Sequence, residues 1–417
     1  MMSNDINLSS KPIIPQLELT ILTATLMSMV AISIDALLPA LGFIVKDFAL
    51  VDSNQAQLVV SALFLGLALG ELISGPFSDS LGRKPILFIG LAIYFAGTLV
   101  SYFSTDLDQL LIGRFIQGFG AAGPYISAVS LVRDQYKGRD MAKIMSLVMM
   151  IFVLVPAIAP AVGQAVLFVS DWRGIFVLYG VYGALILLWI LLRLPETLPK
   201  DHRIPFSVNG FVTGFKMVVT HKVTMTLTIS MGCLFGCLVG YLNSSQQIFQ
   251  ERFLVGNMFS VYFGCLALLL GVASLVNSKI VQRLGMYMLS VRALGTIVFS
   301  SFMFVLLQMF MTPDLWMFFA YMGIIFFSFG LIFGNVNAMA MEPMGDNAGI
   351  ATAVIGSISS IMSLTIGTII GQFYDGTVLP IAVGFSTAGT VSFSLLILAG
   401  RLNGELKQNN EVSAQVA

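Results

Sequence analysis

Two long apolar runs are separated by the sequence Gly75-Pro-Phe-Ser-Asp79-Ser-Leu-Gly82-Arg83-Lys84. A degenerate repeat of it separates two other apolar runs later in the chain, as Lys279-Ile-Val-Gln-Arg283-Leu-Gly285. The first copy follows the second apolar run, and the later copy follows the eighth. Weak internal symmetry of this kind indicates two halves with the same order of elements.

Twelve apolar runs account for most of the sequence. Of the 417 residues, 57% are apolar and 10% are charged, whereas soluble domains have roughly 25% charged residues. A run of about 18 apolar residues is long enough to cross a bilayer as a helix, and these runs lack the alternation that a membrane β-barrel requires. The predicted spans are approximately 17–40, 56–76, 86–103, 108–130, 143–168, 174–193, 223–246, 258–278, 289–311, 315–340, 348–371 and 378–400.

The longest polar segment, 194–222, lies between the sixth and seventh spans and contains three prolines. We therefore predict an all-α polytopic membrane protein of 12 transmembrane helices in two pseudo-symmetric bundles. Residues 1–193 form an N-terminal six-helix bundle, 194–222 a cytoplasmic linker, and 223–417 a C-terminal six-helix bundle.

The basic residues predict the orientation, because cytoplasmic loops carry an excess of Lys and Arg. Only Lys46, Arg173 and Arg252 fall in the outer loops if the N-terminus is inside, and Arg114 lies within a span. Both termini are therefore predicted to be cytoplasmic. The net charge is zero, so no basic field predicts nucleic-acid binding. The inner segments carry Lys11, Arg83, Lys84, Arg133, Lys137, Arg139, Lys143, Arg193, Lys200, Arg203, Lys216, Lys222, Lys279, Arg283, Arg292, Arg401 and Lys407.

Asp35 and Arg114 are charges inside predicted spans, where each costs roughly 2.5–3.5 kcal/mol at a helix centre. With the predicted boundaries, both lie roughly 7–10 Å below the outer surface at 1.5 Å of rise per residue. A pair between them is therefore geometrically possible, and Gln117, one turn after Arg114, extends the polar face. A carboxylate in a low-dielectric cavity can bind either a proton or a cationic substrate. A static structural ion pair is the alternative.

Other polar residues in the spans suggest further roles. Glu71 lies near the cytoplasmic end of the second span, where a gate or interface role is favoured over primary proton carriage. Asn243 and Gln246 are three residues apart on the seventh span, so they are candidates for substrate hydrogen bonds, with helix–helix contact as the alternative. Cys233 and Cys237 share a helix face without His or carboxylate partners, so we predict packing residues and no metal site.

The segment from Gly75 to Lys84 is predicted to reverse the chain at the cytoplasmic surface. Gly75 and Gly82 supply a permissive backbone, and Pro76 discourages continuation of the helix. Asp79 can pair with Arg83, or with the positive N-terminal end of the helix that starts near 348. Such a latch would make the segment a conformational gate. A solvated turn with topogenic charges is the alternative.

The fifth span contains Pro156 and Pro160, four residues apart and hence on one face. Each removes a backbone donor and loosens the helix, while Gly163 allows another helix to approach closely. These features are typical of a helix that rocks or seals against a partner, and a purely structural kink is the alternative.

Several of these stretches resemble known motifs. Gly75-x-x-x-Asp79-x-x-Gly82-Arg83-Lys84 resembles the signature of the major facilitator superfamily. Leu111-Ile-Gly-Arg114-Phe-Ile-Gln117-Gly118 resembles the fourth-helix motif of its drug:proton antiporters of 12 spans. Pro156-Ala-Ile-Ala-Pro160-Ala-Val-Gly163 is similar to the antiporter motif in the form of the Bcr/CflA branch, which Asp35-Ala-Leu-Leu-Pro39 and Leu194-Pro-Glu-Thr-Leu198-Pro also resemble. The resemblance implies the major facilitator fold, with Asp35 as the proton and substrate acid and Arg114 as the fourth-helix arginine.

The sequence thus predicts a transporter, not an enzyme, that exchanges protons for small amphiphilic drugs or metabolites in the bacterial inner membrane. It is expected to act as a monomer without a cofactor. No ring of like charges predicts a channel. The alternatives are a narrow exporter of one amino acid, peptide or siderophore, an importer, and a transport-dead membrane sensor. A sensor would need a soluble signalling domain, and the segment after Arg401 is short for one.

Overall fold

The computed structural model of the chain describes residues 14–136, 138–203 and 207–416. Twelve helices in these ranges are long and apolar enough to cross a membrane, which confirms the predicted twelve-span all-α fold. The described ranges contain fourteen α-helices, because the first span is made of two helices and one further helix lies between the sixth and seventh spans. They are Gln16–Asp35, Leu41–Asp47, Leu58–Leu81, Arg83–Tyr102, Leu107–Gln135, Gly138–Leu167, Gly174–Arg193, Val208–Thr220, Lys222–Gln246, Phe259–Leu284, Met286–Gln308, Leu315–Met341, Ala348–Gln372 and Leu379–Val416.

The first span is longer than predicted and is broken in the middle. It runs from Gln16 to Asp47 as two helices joined by a turn and the short 3₁₀ helix Leu38–Ala40. Pro39 causes the break, because it has no N–H for the carbonyl of Asp35 and its ring clashes with that carbonyl. The predicted end near residue 40 was therefore wrong.

The break fixes the position of Asp35 within the first span. Asp35 is the last residue of the helix Gln16–Asp35, called the inner helix, and Pro39 and the outer helix Leu41–Asp47 follow it. The predicted depth of roughly 7–10 Å below the outer surface stays a prediction.

The signature segment is mostly helical, not a loop. The second span continues as a helix through Gly75 and Pro76 to Leu81, and the third span begins at Arg83. The reversal is made by Gly82 alone, whose φ of 108° favours glycine. The prediction that Pro76 ends the helix was wrong, since neighbouring helices in a membrane protein can satisfy the backbone that a proline frees.

Other helical segments also lie outside the predicted spans. The predicted linker contains the helix Val208–Thr220, and the seventh span continues past Gln246 as a π-helical turn, Gln247–Arg252. The division at 194–222 stays a prediction.

Glycines set the close packing in each half. In the first six spans, a Cβ on Gly118 would overlap the carbonyl of Leu63, so the fourth span lies directly against the second. In the last six spans, the seventh packs on the eleventh through Gly240 and Ile370. Contacts between the halves join the second span to the eleventh and the fifth to the eighth.

Candidate functional site

Asp35 is buried at the break of the first span, with 4% of its surface exposed. Its carboxylate makes no hydrogen bond or ion pair with any residue that the structure describes. A buried charge without a partner is costly, so the position is suited to a group that exchanges ligands.

Arg114 is fully buried and holds the broken end of the same helix. Its Nη2 donates to the carbonyl of Ser33 at 2.7 Å, and its Nε donates to the carbonyl of Val59 at 3.2 Å. Its Nη1 donates to Oε1 of Gln117 at 2.6 Å. The guanidinium therefore joins the first, second and fourth spans, and its positive charge lies at the negative C-terminal end of the inner helix.

The geometry does not include an ion pair between Asp35 and Arg114. No such pair lies within 4.0 Å in the described residues, and the guanidinium takes backbone carbonyls instead. The carbonyl of Ser33 is free for this contact because, at the break, the N–H of Leu37 donates to the carbonyl of Ile34 and not to that of Ser33. The sequence left a pair between the two side chains possible. The guanidinium instead contacts the backbone two residues before Asp35.

Three tyrosines surround this site, and sequence reasoning missed all of them. The hydroxyl of Tyr179 donates to the carbonyl of Ser33 at 3.2 Å, and the hydroxyls of Tyr94 and Ser33 lie 2.8 Å apart. Tyr241 comes from the seventh span, within electrostatic range of Asp35, and its buried hydroxyl has no hydrogen-bond partner among the described residues. A tyrosine in an apolar run carries no signal that separates such a position from ordinary packing.

Gln117 completes the first-half cluster. Its Nε2 donates to Oγ1 of Thr98 at 2.9 Å, while its Oε1 accepts from Arg114. The side chain is fully buried. Gln117 therefore connects the guanidinium to the third span, so it supports Arg114 on the side away from the first span.

The fifth span packs on the break itself. A Cβ on Gly163 would overlap the carbonyl of Ala36, the residue after Asp35. The carbonyl of Pro160 accepts a hydrogen bond from Ser260 of the eighth span at 3.1 Å, and Pro156 lies one turn earlier in the same helix. The proline face thus lies between the first span and the other half.

Asn243 and Gln246 lie at contacts between helices. Asn243 Nδ2 is 3.3 Å from both Ser61 Oγ of the second span and the carbonyl of Gly367. Gln246 Nε2 would be 3.0 Å from a Cβ on Gly42, so it reaches the outer helix of the first span. Of the two sequence interpretations, helix–helix contact describes this geometry, and substrate binding stays a prediction.

A network of amides joins the halves at the end that is predicted to face outward, called the outer end. Asn54 Nδ2 donates to the carbonyls of Gln372 and Tyr374 at 3.2 and 2.8 Å, and Gln372 Nε2 donates back to the carbonyl of Asn54 at 2.8 Å. Gln247 donates to Asn54 at 2.9 Å and accepts from Gln57. The signal that could have predicted this network is the placement of amides at the outer ends of three spans.

The signature residues form a cluster at the end of the spans that is predicted to face the cytoplasm. Arg83 donates to Asp79 at 2.6 Å and to Asp134 of the fourth span at 2.8 Å. Glu196 accepts the backbone N–H groups of Arg83 and Lys84 at 3.0 and 3.2 Å, so it caps the third span. The other predicted partner of Asp79 is the N-terminal end of the helix that starts near 348. It falls among residues 345–349, whose side chains lie outside the described part.

The fold and these positions match a known family. The family model described as Major Facilitator Superfamily covers residues 21–368. The chain belongs to the major facilitator superfamily. It is therefore a multi-pass membrane transporter, and the predicted resemblance is confirmed.

Individual proteins of this superfamily resemble the chain over nearly its full length. It is 30% identical over 391 residues to the uncharacterized MFS-type transporter YdgK of Bacillus subtilis, covering 91% of this chain and 95% of that protein. It is 28% identical to a bicyclomycin resistance protein homolog of Haemophilus influenzae, covering 90% and 94%. A crystal structure of a D-xylose-proton symporter has a TM-score of 0.72 at 14% identity, covering 92% and 96%, which shows the shared fold alone.

Proposed function

We propose that this transporter is a proton-coupled antiporter that exports small amphiphilic cations by alternating access. The observation that carries the proposal is the Asp35 carboxylate, which is buried at a helix break and has no partner among the described residues. A proton and a cationic substrate can each neutralise this group, so binding of one excludes the other.

The surroundings of Asp35 support exchange at this residue. Arg114 is occupied by the carbonyls of Ser33 and Val59 and by Gln117, so it does not compete with a cation for the carboxylate. Tyr241 brings an aromatic face and an unpartnered hydroxyl from the other half. A cation between Asp35 and Tyr241 would contact both halves of the protein.

A transport cycle follows if Asp35 is accessible alternately from the two sides of the membrane. With the outer amide network closed, the substrate enters from the cytoplasm and binds Asp35. When the outer end opens, a proton from outside replaces the substrate on the carboxylate. The halves then return, and the proton leaves to the cytoplasm, where its concentration is lower. The name of the bicyclomycin resistance homolog supports export over import.

The other predicted features support the same cycle. The Asp79, Arg83 and Lys84 cluster would gate the cytoplasmic end, and the fifth span with Pro156, Pro160 and Gly163 would seal against the eighth. We place the protein in a bacterial inner membrane with both termini in the cytoplasm, acting as a monomer.

The test is transport in proteoliposomes with an imposed pH gradient, using ethidium and tetraphenylphosphonium as cationic probes. We expect wild type to accumulate a probe against its gradient, and Asp35→Asn to lose this accumulation by at least tenfold. Asp108→Asn, at an exposed carboxylate in the first turn of the fourth span, is the matched control. A folded Asp35→Asn protein with unchanged coupling would falsify the role of Asp35.

A further inference from the structure

A second buried acid lies at the contact between the two halves. Glu71 of the second span is 7% exposed, ten residues before that helix ends at Leu81. Like Asp35, its carboxylate makes no hydrogen bond or ion pair with any described residue. The cycle proposed above does not use this group.

The eleventh span covers Glu71 from the opposite half. Oε2 of Glu71 is 3.5 Å from the position that a Cβ on Gly356 would occupy. One turn further along the second span, a Cβ on Gly75 would be 3.5 Å from Cβ of Ala353. The second and eleventh spans therefore touch around the carboxylate, with small residues on the side of the eleventh span.

The groups that face Glu71 supply no positive charge. The eleventh span presents Gly356 and Ala353, neither of which titrates. The fourth span, which packs on the second at Gly70, brings Tyr125 within electrostatic range of the carboxylate. No Lys, Arg or His of the described residues forms an ion pair with Glu71.

An ionised carboxylate is not compatible with this environment, because burial without a partner penalises the charged form. A proton on Glu71 removes the charge and allows the two spans to touch. Separation of the spans admits water, which solvates the carboxylate and lets the proton leave. Movement of the halves and proton binding at Glu71 are then linked.

We propose that Glu71 is a second proton-binding site, which takes up a proton when the second and eleventh spans close on each other and releases it when they separate. This site differs from Asp35 in that no substrate binds there. The inference rests on the alternating movement of the proposed function, but it does not depend on substrate exchange at Asp35.

The first experiment detects the proton directly. Infrared difference spectra between about pH 6, where exposed carboxylates are already ionised, and alkaline pH are recorded on the full chain in liposomes, without substrate, and the band of a protonated carboxylic acid is followed. We expect Glu71→Gln to remove one component of this band, Glu71→Asp to retain it at a shifted frequency, and Asp108→Asn to leave it unchanged. A spectrum of folded Glu71→Gln identical to wild type would overturn the proposal.

The second experiment measures the linked movement. Spin labels at positions 80 and 342, at the cytoplasmic ends of the second and tenth spans, are placed in a background without the three native cysteines. We expect the distance between them to increase with pH in the parent protein and in Glu71→Asp, and to stay short in Glu71→Gln. An unaltered pH response in Glu71→Gln contradicts the inference. If Asp35→Asn alone abolishes probe transport in that case, the proposed function stands without it.

Discussion

At the scale of single residues, Arg114 is the side chain on which the site depends. Its guanidinium donates to the carbonyls of Ser33 in the first span and Val59 in the second span. A third hydrogen bond, to Gln117 of its own helix, holds the guanidinium in place. A planar fork can serve three acceptors in fixed directions, whereas an ammonium is a point charge on a flexible stem. The planar guanidinium of Arg114 therefore matters as much as its positive charge.

We expect Arg114→Lys to lose transport although the charge is kept. The shorter reach leaves at least one buried carbonyl without a donor, and a hydrogen bond to a charged group contributes roughly 1.5–3 kcal/mol. Thermal unfolding in detergent and probe transport together measure this change. Arg292→Lys, at an exposed side chain of the ninth span, is the control and should change stability by less than about 0.5 kcal/mol. Equal effects of the two substitutions would contradict the role given to Arg114.

At the scale of elements, the break in the first span and the fifth span form one unit. Pro39 ends the inner helix at Asp35, and Gly163 lets the fifth span lie against the carbonyl of Ala36. No side chain fits between the two backbones. Any movement of the fifth span is thus transmitted to the residue beside Asp35.

We expect Gly163→Ala to reduce both stability and transport. The added Cβ would overlap backbone atoms that cannot move aside as a side chain does, and overpacking costs typically about 1–3 kcal/mol. The matched control is Gly180→Ala on the sixth span, where no atom lies within 4 Å of the added Cβ. Thermal stability and probe accumulation are measured for both. A Gly163→Ala protein that transports like Gly180→Ala would show that the close contact is dispensable.

At the scale of the whole molecule, the halves are held together by neutral groups along the second and eleventh spans. Ser61 and Thr368 approach within 2.8 Å between their hydroxyl oxygens, near the amide network. A similar distance occurs within the last six spans, where the hydroxyls of Ser230 and Ser392 are 2.7 Å apart. The two pairs have similar geometry, but Ser61 and Thr368 join the two halves, whereas Ser230 and Ser392 lie within one half.

A disulfide between positions 61 and 368, introduced as Ser61→Cys with Thr368→Cys in the background without native cysteines, should arrest transport. Alternating access requires the halves to separate there, and a covalent bond prevents it. Reduction should restore probe accumulation. The control pair Ser230→Cys with Ser392→Cys should form its disulfide without loss of transport. Arrest by both pairs, or by neither, would be evidence against rigid-body movement of the halves.

The sequence was sufficient to predict what depends on length and apolarity. The twelve spans follow from runs too long for anything else, and the close approach at Gly163 follows from the missing side chain. The sequence was not sufficient where packing against a neighbouring helix decides the path of the backbone or the hydrogen-bond partner of a side chain. The new helix after Pro39 and the unbroken helix through Pro76 depend on packing against neighbours, and the acceptor that Arg114 finds at Ser33 is created by the break itself.

The amide composition of the outer closure has a consequence for a cell in a changing medium. Asn54, Gln57, Gln247 and Gln372 carry no titratable group, and hydrogen bonds between neutral amides are not weakened by ionic screening as exposed ion pairs are. Acidity or salinity of the surroundings therefore does not loosen this barrier directly. In the proposed cycle, a cell exposed to either keeps this entrance shut until the buried acids inside the protein change their state.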